Sequence, residues 1–240
     1  MGSLSGANAK RFTFDSENPR HPIWSPDGKR IIWTANSREG LRIYQKSANG
    51  EGDEQPLTDI IGVATDISPD GRFIVFEQGY PIPTDIWIRP LAEGQQAYPL
   101  IKRDSVQSQA CISPDGRWVA YVSFESGDYE IFVQRFPEGG SKLQVSKNGG
   151  GGPQWRRDGR ELFYYSMGGK LIAIPVKSGD NLEMGPGHIL FEFQTGAFNS
   201  VTRPFVATRD GQRFLVLSII DSDPRAPLTI TLNWTDGLVK

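Results

Sequence analysis

Ser68-Pro69-Asp70-Gly71-Arg72 and Ser113-Pro114-Asp115-Gly116-Arg117 are nearly the same sentence written twice, and three more segments align with them. These are Ser25-Pro26-Asp27-Gly28-Lys29, Arg156-Arg157-Asp158-Gly159-Arg160 and Thr208-Arg209-Asp210-Gly211-Gln212. The aspartates stand at 27, 70, 115, 158 and 210, which are 43, 45, 43 and 52 residues apart. A period in the low forties is the length of a four-stranded propeller blade. Proline presets φ at the first central position of a turn, Asp accepts a local main-chain bond, and Gly takes the position with φ > 0. The segment therefore reads as a tight hairpin turn between two strands.

Apolar runs flank each turn. Before it come Ile23-Trp24, Ala64 with Ile67, Cys111-Ile112, Gln154-Trp155 and Phe205-Val206-Ala207; after it come runs such as Phe73-Ile74-Val75-Phe76 and Trp118-Val119-Ala120-Tyr121. They are rich in β-branched and aromatic residues, as buried strands are. A third strand follows in every unit, the last at Leu228 to Leu232, and a fourth follows in four of them: Gln55 to Thr58, Ala97 to Leu100, Lys142 to Val145 and His188 to Phe191. The fifth unit stops after its third strand, whereas Lys10 to Phe14 reads as a fourth strand without its first three. The sequence thus predicts an all-β, five-bladed β-propeller of four-stranded antiparallel blades. The N-terminal strand, Phe12 to Phe14, is expected to pair beside Thr229 to Leu232, complete the last blade and close the ring. The expected blades are residues 20–58, 63–101, 108–146, 152–193 and 203–234 plus 11–14, one domain over 10–240 after a flexible segment or tag at 1–9.

Composition agrees with many short strands. The 240 residues include 27 Gly and 17 Pro, and hydrophobic residues make up 38% against 22% charged, as suits a packed globular chain. A formal net charge of −2 provides no global attraction to nucleic acid or anionic lipid. Cys111 stands alone between apolar neighbours, so it makes no internal disulfide and reads as a packing residue. No stretch approaches the roughly 20 apolar residues of a membrane-spanning helix.

At the five turns the sequence resembles the TolB-like propeller repeat family, over about Lys10 to Lys240. Trp155 to Tyr164 and Leu232 to Thr235 are also similar to segments of the C-terminal propellers of acidobacterial-type serine/threonine kinases. The kinase itself is absent: there is no Gly-rich nucleotide loop, no His-Arg-Asp loop and no Asp-Phe-Gly. The resemblance implies a binding or sensing propeller on the envelope side of a bacterium. Leu4 to Ala9 resembles the linker before a fourth strand, which fits the C-terminal part of a longer protein.

In a propeller, the loops leading into the innermost strands and those joining second to third strands open at one end. The candidate ligand-binding residues there are Arg20, His21, Arg38, Asp59, Tyr80, Asp85, Gln109, Asp128 and Arg203. The candidate catalytic carboxylate is Asp66, with Asp15, Glu17, Asp104 and Glu125 as possible partners. Alternation along the strand lets Asp66 face either the channel or a blade interface. Glu39, Gln107, Asn199, Asp221 and Asp223 fall at the same end. Gly149-Gly150-Gly151-Gly152 precedes Pro153, not Gly-Lys-[Ser/Thr], and reads as a flexible loop into the fourth blade. With only His21 and His188, a His-rich metal site is excluded, and no metal or cofactor is expected.

Two functions follow. One is a binding or sensing module for a peptide, protein or glycan, with no nucleic-acid partner. The alternative is a glycoside hydrolase using carboxylates in the funnel, by fold-level analogy with five-bladed arabinanase-type and fructosidase-type glycosidases.

Overall fold

The computed structural model describes residues 11–79, 85–102, 104–195 and 203–218, and the chain falls into two compact units, Met1–Ala64 and Thr65–Lys240. The first unit holds one antiparallel sheet in the order β1 (Glu17–Trp24), β2 (Arg30–Ser37), β3 (Gly40–Ser47), β4 (Gln55–Ile61). Three further sheets follow. They are β5 (Val63–Ile67) to β8 through β6 (Phe73–Gln78), β7 (Asp85–Pro90) and β8 (Tyr98–Ile101); then β9 (Gln107–Ile112), β10 (Trp118–Ser123), β11 (Glu130–Arg135) and β12 (Lys142–Gln144); then β13 (Gly150–Trp155), β14 (Glu161–Ser166) and β15 (Lys170–Lys177), with β16 (Glu183–Met184) and β17 (His188–Glu192) both pairing β15. A fifth sheet contains β18 (Phe205–Ala207) and β19 (Phe214–Val216). Thr229 to Leu232 lies outside the described residues, and Arg11 to Phe14 has no ladder with any described strand.

The repeated turn is held by its own side chains. Ser68 Oγ donates to Asp70 Oδ1 at 2.6 Å and accepts the Phe73 amide at 2.9 Å, Asp70 Oδ1 accepts the Arg72 amide at 3.0 Å, and Gly71 N donates to Ser68 O at 2.8 Å. The same bonds recur at Ser25, Ser113 and Thr208. In the fourth sheet Arg156 stands where the hydroxyl would be, and its Nε and Nη2 grip Asp158 at 2.9 and 2.6 Å. Against the cost of desolvation, the Ser68 hydroxyl, the Arg72 amide and the Arg72 guanidinium hold the Asp70 carboxyl down at about 2.

Within the second unit, successive residues of a strand serve different neighbours. Trp118, Ala120 and Val122 pack with Trp155, Leu162 and Tyr164 of the next sheet, while Val119 and Tyr121 pack with Val75, Ile86 and Ile88 of the preceding one. Phe163 and Tyr165 likewise turn to Phe205, Phe214 and Val216. Sheets packed on both faces have no polar side to show, which is why these strands read as unbroken apolar runs. Fully burying a side chain such as Phe163 contributes roughly 1.5–3 kcal/mol.

Gly71 has φ +71°, and a Cβ built there would meet no atom within 4 Å. A substitution at this position is therefore opposed by backbone conformation alone. Gly71→Val should destabilise by about 1–2 kcal/mol, and Gly71→Asn by less, because Asn tolerates the left-handed region. Thermal unfolding should show a lower Tm for the valine variant; an unchanged Tm would mean that the turn conformation carries no stability.

Candidate functional site

The first unit forms a cleft of about 480 Å³ over its sheet. Asp15 and Glu17, from the segment leading into β1, line one side. Asn36 and Ser37 at the end of β2 and Arg38 and Glu39 of the β2–β3 turn line another, and Arg42 and Tyr44 of β3 complete it. Pairing explains the assembly: Glu17 stands opposite Asn36, and Asn36 opposite Leu41, so the start of β1 and the β2–β3 turn lie at the same end of the sheet. Tyr44 stacks on Trp33 with ring centroids 6.1 Å apart, and Phe12 closes on Trp33 edge-on at 5.9 Å. Trp33 Nε1 donates to Ser16 Oγ at 3.0 Å.

Asp15 is held by Glu54. The Glu54 carboxylate accepts the amides of Phe14, Asp15 at 3.2 Å and Ser16 at 2.9 Å. Despite its partial desolvation, these bonds and the Ser16 hydroxyl keep the Glu54 carboxyl below its ordinary value. Arg42 Nη2 pairs with Glu39 Oε2 at 2.7 Å, while its Nε is buried without an acceptor. Arg20 Nη2 donates to Asn36 Oδ1 at 2.7 Å behind the cleft wall.

A second polar group lies within the second unit, along its innermost strands. β9 and β13 each carry a bulge four residues before the turn motif, at Gln109 (φ 56°) and Gly152 (φ +62°). A bulged amide leaves its own ladder and needs another acceptor. Glu77 Oε1 of β6 accepts Gln109 N at 2.7 Å, and Gln109 Oε1 accepts Gly152 N at 2.6 Å. Asp66 Oδ2 accepts Ile112 N at 2.7 Å, and Gln154 Oε1 accepts Ala207 N at 3.0 Å. Cys111 Sγ donates to Pro153 O at 3.2 Å, and Arg203 Nη2 donates to Ala110 O at 2.9 Å. Each bond ties one sheet's side chain to another sheet's main chain.

Burial sets the electrostatics of this group. Glu77 is 7% exposed, and burial pushes its carboxyl up to about 7 against the opposing pull of the Gln109 amide and Arg203. Burial also raises Asp66 above its ordinary value, with Ile112 N, Arg203 and Ile67 N pulling the other way. The Cys111 thiol is pushed up to about 12, mainly by burial, which leaves it a packing residue and not a nucleophile.

Of the residues expected from sequence, Asp15, Glu17 and Arg38 meet in the cleft, with Arg20 behind it. His21 sits in a bulge of β1 with φ 53°, and Asp59 is exposed on β4. Asp66, Gln109 and Arg203 belong to the inner polar group. Asp104 and Asp128 are exposed, Asp85 opens β7, and Glu125 pairs with Lys142. Tyr80, Asn199, Asp221 and Asp223 lie outside the described residues. Glu77, Arg42, Tyr44 and Glu54 were not singled out from sequence. Among the described residues no three His, Cys, Asp or Glu side chains cluster as metal ligands, and no helix is long and apolar enough to cross a membrane.

Neither a protein-family model nor a curated protein matches the chain. Solved structures do. TolB from Acinetobacter baumannii matches with a TM-score of 0.59 and 20% identity over 83% of this chain, which spans 48% of that protein's length. A putative TolB from Agrobacterium tumefaciens gives 0.61 and 18% over 75% of this chain and 68% of its own, and the Cps50 (Swd1) β-propeller domain of Myceliophteria thermophila gives 0.62 and 10% over 87% and 69%. The fold is that of a TolB-like β-propeller. At these identities the likeness concerns architecture alone, and the four-stranded antiparallel sheets are its blades.

The propeller's inner polar group has a pH signature. Because Glu77 binds its proton more tightly in the folded chain (about 7) than an ordinary glutamate, its contribution to stability is greatest below about pH 4.5 and declines as pH rises to about 7. Glu77→Gln keeps an oxygen for Gln109 N and removes the buried charge. Across pH 5–8 the parent's Tm should fall more steeply than that of Glu77→Gln; parallel curves would show that Glu77 does not titrate in this range.

Proposed function

We propose that the chain is a binding module that takes a peptide, protein or glycan at the loop end of its blades, with the cleft of the first sheet as a seat. The observation that supports this reading is the cleft itself. Asp15 and Glu17, at the start of β1, and Arg38, in the β2–β3 turn, line one cleft together with Arg42 and Tyr44. A concave site with a few convergent polar groups and an aromatic wall is the usual form of a ligand pocket. Arg38→Ala and Glu17→Gln, both at exposed positions, should weaken ligand binding about tenfold or more, the size of a lost charged hydrogen bond, while leaving Tm unchanged. A titration of the purified chain against oligosaccharides and envelope-derived peptides checks this; binding that survives both substitutions would place the seat elsewhere.

Glycoside hydrolysis is the alternative. It requires two carboxyl groups about 5–5.5 Å apart for retention or 6.5–9.5 Å for inversion, one of them free to deliver a proton. Asp66 instead accepts two main-chain amides, from Ile112 and Ile67. Turnover of chromogenic glycosides by the parent chain, lost in Asp66→Asn, would restore the enzyme reading.

We further propose five blades closed by the N-terminal segment. Four complete sheets and the paired β18–β19 support the count. A Thr13→Cys, Thr231→Cys pair should form a disulfide under mild oxidation if residues 11–14 lie beside 229–232, since bridging needs Cα atoms about 4.4–6.8 Å apart. Two thiols that stay free would refute closure.

A further inference from the structure

Arg203 leads into β18 of the fifth sheet, yet its guanidinium reaches the main chain of β9 in the third. Its Nη2 donates to Ala110 O at 2.9 Å and to Gln109 O at 3.5 Å. Carbonyl oxygens satisfy N–H groups but carry no net charge. The charges that answer the guanidinium come from the β5–β8 sheet, where Glu77 and Asp66 both feel it. Glu77 meets it at one bulge: Glu77 Oε1 accepts the Gln109 amide at 2.7 Å while Arg203 holds the Gln109 carbonyl. A single bulged residue therefore has an acid on its amide and a base on its carbonyl, brought from two different sheets.

The rest of the fifth sheet's attachment is indifferent to pH. Phe205, Phe214 and Val216 pack on Phe163 and Tyr165, and Ala207 N donates to Gln154 Oε1 at 3.0 Å. None of these groups changes charge between about pH 5 and 8, and neither does Arg203 itself. Proton uptake enters through the carboxylates that Arg203 faces. Glu77 points at the third sheet, because Phe73 and Val75, at alternate positions of β6, pack there. Around it stand Ile86 and Ile88 of β7, Gln109 of β9 and Tyr121 of β10, whose hydroxyl donates to Gln134 Oε1 at 3.4 Å. The other titratable groups are Asp66 of β5 and Cys111 of β9. Burial pushes the Cys111 thiol up to about 12, so it stays uncharged, and raises Asp66, so acid neutralises it in the same sense as Glu77. Burial pushes Glu77 up to about 7, inside the range where Arg203 stays charged. At 7% exposure Glu77 is poorly screened by salt, which preserves the attraction at physiological ionic strength.

We propose that Arg203 is a pH-sensitive latch, which fastens the segment leading into β18 to the inner strands of the two earlier sheets while Glu77 is ionised and loosens it as Glu77 takes up a proton. Global stability has the opposite sign: it falls as pH rises, because an ionised Glu77 is costly to bury. The two effects are therefore separable by hydrogen exchange on the intact chain, read amide by amide as protection factors so that the intrinsic pH dependence of exchange cancels. Protection of Phe205, Val206 and Ala207 should rise about fivefold from about pH 6 to 8, while that of Val119 to Tyr121 in β10, which follows global unfolding, should not rise. Arg203→Met should lower protection of residues 205–207 at high pH, abolish its rise, and move the Glu77 carboxyl titration, read from its carbon-13 shift, to higher pH. Glu77→Gln should cut the rise to about twofold or less, and carries the same test should Arg203→Met fail to fold. Protection at 205–207 that is flat or falls with pH in the parent overturns the latch. So does a rise that survives Glu77→Gln, or a Glu77 titration that Arg203→Met leaves in place.

Discussion

The second unit depends on bulged main-chain amides that only a neighbouring sheet can satisfy. When β9 bulges at Gln109, the amide of that residue leaves the β9–β10 ladder, and no water-rich surface is near enough to take it at 5% exposure. A buried unsatisfied donor costs about 1–3 kcal/mol. Glu77 of the preceding sheet accepts it, and Gln109 in turn accepts the bulged amide of Gly152 in the following sheet. Asp66 and Gln154 likewise accept amides of the neighbouring sheet, those of Ile112 and Ala207. Apolar packing alone would let adjacent sheets slide, because hydrophobic contact is not directional. These bonds fix the register between sheets, and Arg203 adds a link that skips one sheet to reach Ala110 O.

This arrangement explains which parts of the fold are legible in a single sequence. The turns are local: Ser, Pro, Asp and Gly each act within five residues, so their chemistry is visible wherever it occurs. Even the fourth unit, which lacks the Ser-Pro pair, keeps Asp158 and Gly159, and the Arg156 fork replaces the hydroxyl. The strands flanking each turn follow because doubly packed strands are written as apolar runs. Fourth strands were placed to within a few residues, the largest difference being β4, which runs on to Ile61.

The inner polar group was harder to read, for a geometric reason. Sequence alternation assumes a regular pleat, and a bulge breaks the period of two. At Asp66 alternation alone does not say which face of Ala64-Thr65-Asp66-Ile67 meets a channel and which an interface. In the structure its carboxylate reaches a main-chain amide of the adjacent sheet. Glu77 ends an apolar run and reads from sequence as an ordinary exposed strand end. Its signal lay in comparison between units: seven residues after the turn aspartate, the first unit has Thr34, and both side chains are buried. The following units carry Val122 and Tyr165 there, so a polar residue at this buried position marks a local hydrogen-bonding task, and Thr34 Oγ1 accordingly accepts Ala64 N at 3.0 Å.

The two polar groups differ in the property that separates scaffold from site. In the inner group Glu77, Gln109, Asp66 and Gln154 each accept a main-chain amide, and their partners are fixed by the fold. Perturbed ionisation there follows from burial, and so does not by itself mark chemistry. In the cleft of the first sheet the opposite holds. Glu54 anchors the backbone beside Asp15, Trp33 props Tyr44, and Glu39 takes only one edge of Arg42. The supporting residues are satisfied while the residues they present are not. A surface whose second layer is rigid and whose first layer retains unused hydrogen-bonding capacity is preorganised for a ligand, since little ordering remains to be done on binding.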